Sequence, residues 1–219
     1  MKRSILPFLF IAALIGCTRT TPVSLTLSVH ADSPERKALL VTASQHVIER
    51  RVETLEGAKP VVTARTSGET VRLTFRVNQA ETAALLTQQL SSPLDFRIMR
   101  EAKKGETPTI TLEQRGSFVD GGITDAMLDW VQAEEEPGQK GRVTITFTKE
   151  GQKLLQKTFE ENKGSMIGLF VRGGLVSSYQ AQEKGLKDNI VIGGIPSFAL
   201  AQAFADDVNT GAHVTFRSR

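Results

Sequence analysis

The chain has 219 residues, with 27 Lys and Arg against 24 Asp and Glu, three His and a single Cys. Two of the cations, Lys2 and Arg3, sit in what reads as a cleavable leader, and without them acid and base almost balance. No basic stripe with interleaved aromatics remains to point to nucleic acid, and no later run is apolar for the roughly 20 residues that a membrane-spanning helix needs.

After Lys2-Arg3 the sequence is apolar from Ile5 to Ile15, broken only by Pro7, and Gly16 precedes Cys17. The run is too short to span a bilayer but fits the apolar core of a signal peptide. A short buried helix is the ordinary alternative, but the run has no polar face to turn to water. An unpaired cysteine in an exported chain also needs its own explanation. Leu14-Ile15-Gly16-Cys17 resembles the lipobox of bacterial lipoproteins. That resemblance implies cleavage between Gly16 and Cys17, a diacylglyceryl group on the Cys17 sulfur, and fatty-acyl chains such as palmitate as the membrane anchor. Several buried chains, at about 0.8 kcal/mol per CH₂, give stable attachment. Thr18 follows the cysteine where an inner-membrane retention signal has Asp. In a Gram-negative cell this directs the expectation to the periplasmic face of the outer membrane rather than the inner.

Past a short tether, the β-branched alternation of "VSLTLSVHA" predicts a strand. Ser33-Pro34-Glu35 reads as a helix start, with Ser33 as N-cap and Pro34 in the first turn. Leu40, Val41, Val47, Ile48, Val52 and Leu55 supply one helical face, and Gly57 ends it. "PVVTAR" and "VRLTFRV" form a half-buried hairpin, a second helix covers roughly 79–90, and "PLDFRIM" alternates again. Strand, helix, strand, strand, helix, strand is the split ferredoxin-like order, with two helices on one face of an antiparallel sheet. The expected class is therefore α+β.

A polar stretch from Ala102 to Pro108 marks a second unit. Its early part is glycine-rich and irregular, and Glu134-Glu135-Glu136-Pro137-Gly138 reads as a solvated loop. "RVTITFT" is a strand, Thr148 caps a helix from Lys149 to Asn162, and Gly164 ends it. "MIGLFV" reads as a buried strand, Gly173-Gly174 as its turn, and "LVSSY" as the return. "NIVIGG" is a short strand, a helix over about 197–209 stops at Gly211, and "AHVTFRS" closes the chain. Gly164, Gly173, Gly174, Gly193, Gly194 and Gly211 are the expected turn glycines. The resulting division is 1–16 leader, 17–22 tether, 23–101 base, and 102–219 a smaller α+β head whose last strand returns to the base.

In this order the motifs resemble the first periplasmic domain of SecD, the membrane component accessory to the Sec export channel. "VTITFTKEGQKLLQKTFEENKG", "LFVRGGLVSS", "VIGG" with the Ala-rich helix up to Gly211-Ala212, "VIERRVETLEG" and "PLDFRIM" carry the resemblance across residues 24–216. It departs in places. Arg172 stands where the family has a turn Asp, Tyr179 where a Pro follows the Ser pair, and His213-Val214 where it has Leu-Pro. The membrane helices that carry proton coupling are missing. The resemblance implies a non-enzymatic envelope lipoprotein that acts in protein export by binding translocating or unfolded polypeptide, with Sec translocon components as partners. A scaffold that reuses the domain for another folded partner is the alternative, and a hydrolase the least favoured reading.

The residues themselves offer no catalytic set. His30, His46 and His213 are scattered without metal-ligand spacing and read as surface or edge residues. No nucleophile elbow or P-loop lysine occurs, and Glu134–Glu136 and Asp206-Asp207 read as solvated acids. No metal and no cofactor is expected. For binding, the candidates are Arg172, Gly173, Tyr179, Ile195 and Phe198, because edge strands and apolar turns can accept an extended chain by strand addition. The plainer reading is that Phe170, Val171 and Ile192 fill the core.

Overall fold

The computed structural model describes residues 20–68, 70–182 and 188–218. Gly16, Cys17 and the leader, and with them the expected lipidation site, lie outside the described residues. Strand β1 (Thr21–Val29) leads into helix α1 (Pro34–Glu56), the hairpin β2 (Thr63–Ser67) and β3 (Thr70–Val77), and helix α2 (Ala80–Ser91). Ser33 caps α1 by accepting from the Arg36 N–H at 3.1 Å, and Gly57 ends it at φ 72°. Leu40, Ala43, Val47, Ile48 and Val52 form the buried stripe of α1, and Val71, Leu73, Phe75 and Val77 the buried face of β3.

The fourth strand of this sheet is not the one that the sequence suggests. The order is β12-β1-β3-β2, where β12 (Val214–Ser218) is the last strand of the chain and pairs antiparallel with β1, Leu27 opposite Phe216. "PLDFRIM" instead supplies β4 (Phe96–Glu101), a central strand of a second sheet. The reason is burial on both faces. Phe96 and Ile98 face the large core, whereas Met99 packs with Phe118 and Phe170 on the opposite side. A base sheet covered by helices on one side only has no place for that second apolar face.

The second sheet runs β10-β9-β4-β6-β5 and uses β5 (Ile110–Leu112), β6 (Gly116–Thr124), β9 (Met166–Val171) and β10 (Gly174–Gln180). A third, β11-β8-β7, uses β7 (Leu128–Glu136), β8 (Lys140–Phe147) and β11 (Asn189–Ile195). Helix α3 (Lys149–Glu161) follows β8, and helix α4 (Phe198–His213) packs on α1, β7 and β8. The triple-Glu segment is therefore strand rather than loop. Glu134 pairs with Arg142 across the hairpin, and Glu136 accepts from the Gly194 N–H. Gly211 does not stop α4 but lies inside it, where a Cβ would stand 3.0 Å from the Leu94 side chain. Gly193 and Gly174 likewise belong to strands β11 and β10 rather than to free turns.

Two polar junctions tie α1 to the rest. Asp206 on α4, only 5% exposed in its side chain, takes Arg50 and His46 of α1 at 3.1 Å each. It is thus a buried ion-pair centre and not a solvated acid. At the other end Arg36 grips Asp129 of β7 through two nitrogens, at 2.9 and 3.2 Å, and lies over the Trp130 ring, on which His213 stacks. His213 is half-buried and its Nε2 has no partner. Burial pushes its pKa below the ordinary 6.5, and the Arg36 charge acts in the same direction. The folded imidazole is thus neutral where an unfolded one is beginning to protonate. Stability is complete above about pH 6.5 and falls as pH drops below it, levelling once the folded ring also protonates. Melting should therefore occur at lower temperature at pH 5.5 than at pH 7.5. His213→Phe, which retains the stack, should shrink that difference, and an unchanged difference would remove His213 as its source.

Candidate functional site

Of the residues singled out from sequence, Arg172 and Gly173 occupy the two-residue loop between β9 and β10, at φ 52° and 77°, with Gly174 paired to Val171. Two consecutive positive φ values make a type I′ turn, which favours Asn-Gly or Asp-Gly. The turn is thus one residue earlier than Gly173-Gly174. Arginine pays for this left-handed conformation, about 1 kcal/mol or more, so its presence calls for a reason beyond the turn. Its N–H donates to the Asp95 carbonyl at 2.6 Å, which fixes the hairpin tip against the chain entering β4.

That tip closes one side of a cleft whose other walls are α1, the segment from α2 to β4, and α4. Two adjoining cavities, of about 250 and 480 Å³, share Arg51, Gln89, Arg172 and Asp207 in their walls. The first is mixed, with Ser91, Ser92 and Thr210 beside Leu90, Val214 and Phe216. The second is apolar, with Leu94, Val171, Val176, Phe204 and Val208. Arg51 donates from Nη2 to Asp207 at 3.4 Å, while its Nη1 is buried without a partner. Burial, with the nearby Arg172 charge adding to it, pulls the Arg51 pKa below the usual arginine value, although the guanidinium remains charged. Thr210, 2% exposed, also has a partnerless buried hydroxyl.

Two cations, one carboxylate and an unsatisfied hydroxyl beside an apolar wall make a site for an anionic group next to a hydrophobic one. Orphaned donors of this kind are costly when left unpaired and recover that cost when an acceptor arrives. Among the described residues, no group of three His, Cys, Asp or Glu lies close enough to hold a metal ion.

The remaining expected residues lie elsewhere. Ile195 pairs with Gly141, and the Phe198 N–H donates to Gln139, so both sit at the β7–β8 hairpin. Twelve residues of α4 separate Phe198 from Thr210, about 18 Å along the axis. Phe198 is 37% exposed and available for contact. Tyr179 is half-buried against the large core, and its hydroxyl donates to the Val191 carbonyl at 3.3 Å, linking edge strands β10 and β11. It is a structural bridge more than an exposed contact. Phe170 is core, as the plainer reading has it. Sequence reasoning missed Arg51, Gln89, Asp207 and Thr210. The available signal was the pair of dipeptides Arg50-Arg51 and Asp206-Asp207, each on a helix and opposite in charge.

No family model matches the chain, and no curated protein matches it. Solved structures do. SecDF, a translocon-associated membrane protein from Thermus thermophilus, aligns at TM-score 0.50 and 16% identity, over 91% of this chain and 30% of that one. The fold is SecDF-like. A second SecDF structure, in a super-membrane-facing form, gives TM-score 0.49 and 16% identity with the same coverage of both chains. A structure of SecDF, a membrane component that enhances protein export, gives 0.47 and 17% identity over 90% of this chain and 97% of that one. This chain thus spans under a third of the two longer SecDF structures and nearly all of the shorter. No helix of the described residues is long and apolar enough to cross a membrane.

Proposed function

We propose that the chain is an envelope lipoprotein, held by lipid on Cys17, whose SecDF-like domain binds exported polypeptide outside the membrane as a non-enzymatic accessory. The supporting observation is the cleft at Arg172: an anion-accepting lobe beside an apolar one, in a fold shared with a translocon-associated protein. An extended, unfolded segment offers acidic and apolar side chains at adjacent positions, which is what the two lobes accept. In this reading the sheet containing β1 and β12 is a base close to the membrane, the other two sheets are the head, and the outer membrane's periplasmic face is the location. Sec translocon components are the corresponding partners.

A photocrosslinking residue placed at Arg172 or Val176 in cells should capture many exported precursors. Capture of one discrete folded protein instead would overturn the export reading in favour of a scaffold. The anchor is tested separately. Cys17→Ser should abolish acylation and leave unprocessed precursor, and a variant still processed and held on the membrane would refute it.

A further inference from the structure

The base sheet has one face covered by α1 and α2 and one face without a helix. On the open face lie Arg65 of β2, Arg72 and Arg76 of β3, and Arg217 of β12. The register sets Arg217, Thr26, Arg72 and Arg65 side by side across all four strands. Three strand spacings of about 4.8 Å make this row roughly 14 Å long. Arg76 lies four residues further along β3, about 13 Å away. The positions between them are Thr and Ser: Ser24, Ser28, Thr63, Thr74 and Thr215 share the face. No carboxylate stands on it among the described residues.

This arrangement works against folding. Arg65 stands directly opposite Arg72, and like charges so placed destabilise a sheet. The Arg72 Nε is buried with no partner. None of the four forms an ion pair among the described residues, whereas Arg36, Arg50, Arg51, Arg97, Arg100 and Arg142 each hold a carboxylate. A hydroxyl-studded cationic surface kept free of internal counter-charge is complementary to a surface of phosphates.

We infer that this face docks the domain flat on an anionic phospholipid surface. Position supports the choice of occupant. Arg76 donates to the Thr20 hydroxyl and, at 3.2 Å, to its carbonyl, which places the start of the described chain at this face. Thr20 is three residues from Cys17, a reach of about 10 Å. That reach is close to the Debye length of about 8 Å at physiological ionic strength, so the tether holds the arginines at the edge of the headgroups' range and direct docking brings them inside it. The inference rests on the lipid-anchor reading for this proximity. Docking turns α1 and α2 outward and leaves the cleft at Arg172 open to the aqueous side.

The test uses the full acylated chain, whose Cys17 sulfur is blocked, with a dye attached through Thr74→Cys on the sheet or Glu53→Cys on α1. Vesicles are phosphatidylcholine alone or mixed with phosphatidylglycerol, and they carry headgroup nitroxide quenchers. The expected result is quenching at position 74 on the mixed vesicles only, lost in high salt and lost when all four arginines are changed to Gln. Position 53 stays unquenched throughout. Equal signals at position 74 on both vesicle types, with the protein floating on both, would overturn the docking and leave the anchor standing. Failure to float on neutral vesicles, with phosphatidylglycerol-dependent quenching intact, would overturn the anchor alone. The Arg65→Gln/Arg72→Gln pair supplies a folding control, because relief of the repulsion should raise the melting temperature.

Discussion

Asn209→Ala should cost at least about 2 kcal/mol of folding stability, since it strands two buried backbone groups at about 1–3 kcal/mol each. Asn209 lies on α4, 5% exposed. Its Nδ2 donates to the Val131 carbonyl at 2.7 Å, and its Oδ1 accepts the Val131 N–H at 2.9 Å. β7 is an edge of the three-stranded sheet, and these two groups point out of that edge. The side-chain amide thus does for one residue what a further strand would do for several, and it closes an edge that would otherwise be sticky. In a domain of this size the loss lowers the melting temperature by roughly 5–15 °C. The neighbouring Thr210→Val is the informative control. It is equally buried, but its hydroxyl bonds nothing, so its removal should hold or raise stability while depriving the cleft of a donor. A thermal melt of Asn209→Ala within a degree or two of the parent chain would refute the edge-cap account.

Local chemistry made part of this molecule readable in advance. Ser33 before Pro34, the apolar stripe of α1 and the strict alternation in β3 each state their structure within a few residues, and all three occur as expected. What could not be read was membership. β4 alternates like a base strand, and only the position of Phe118 and Phe170 on its far side shows that Met99 is also interior. β6 and β7 were hidden by Gly121, Gly122 and the glutamates. Gly121 is needed because the Ile98 carbonyl would lie 2.5 Å from a Cβ there, and the glutamates are matched by Arg142 across the hairpin. The site divides in the same way. Arg172 could be singled out because it stands where the resembling family has a turn Asp, a departure visible at a single position. Arg51 and Thr210 are ordinary helix residues whose importance comes from losing their partners on burial, and that depends on contacts far apart in the chain.

Those contacts depend on where α4 is seated, and Gly141→Val tests the seat. A Cβ at Gly141 would stand 2.5 Å from the Ala201 Cβ, 2.7 Å from the Ser197 carbonyl oxygen and 3.2 Å from the Phe198 Cα. Two of these three are backbone atoms of the helix start, so no rotamer change relieves the clash and α4 itself must move off β8. Overpacking of this kind costs about 1–3 kcal/mol where side chains can yield, and here the cost should reach or exceed the upper end. Gly174→Ala gives the contrast. It meets only the Val171 carbonyl oxygen, at 3.5 Å, and should stay within about 0.5 kcal/mol of the parent. Denaturant titration of the two variants separates a glycine required by close approach from one that is merely present in a strand. The functional consequence comes from the same geometry, because α4 carries Phe204, Asp207, Val208 and Thr210 into both lobes of the cleft. In the fraction of Gly141→Val that remains folded, crosslinking from Val176 should fall even though no residue of the cleft has been changed. Undiminished crosslinking would mean that the captured chain does not use the α4 wall.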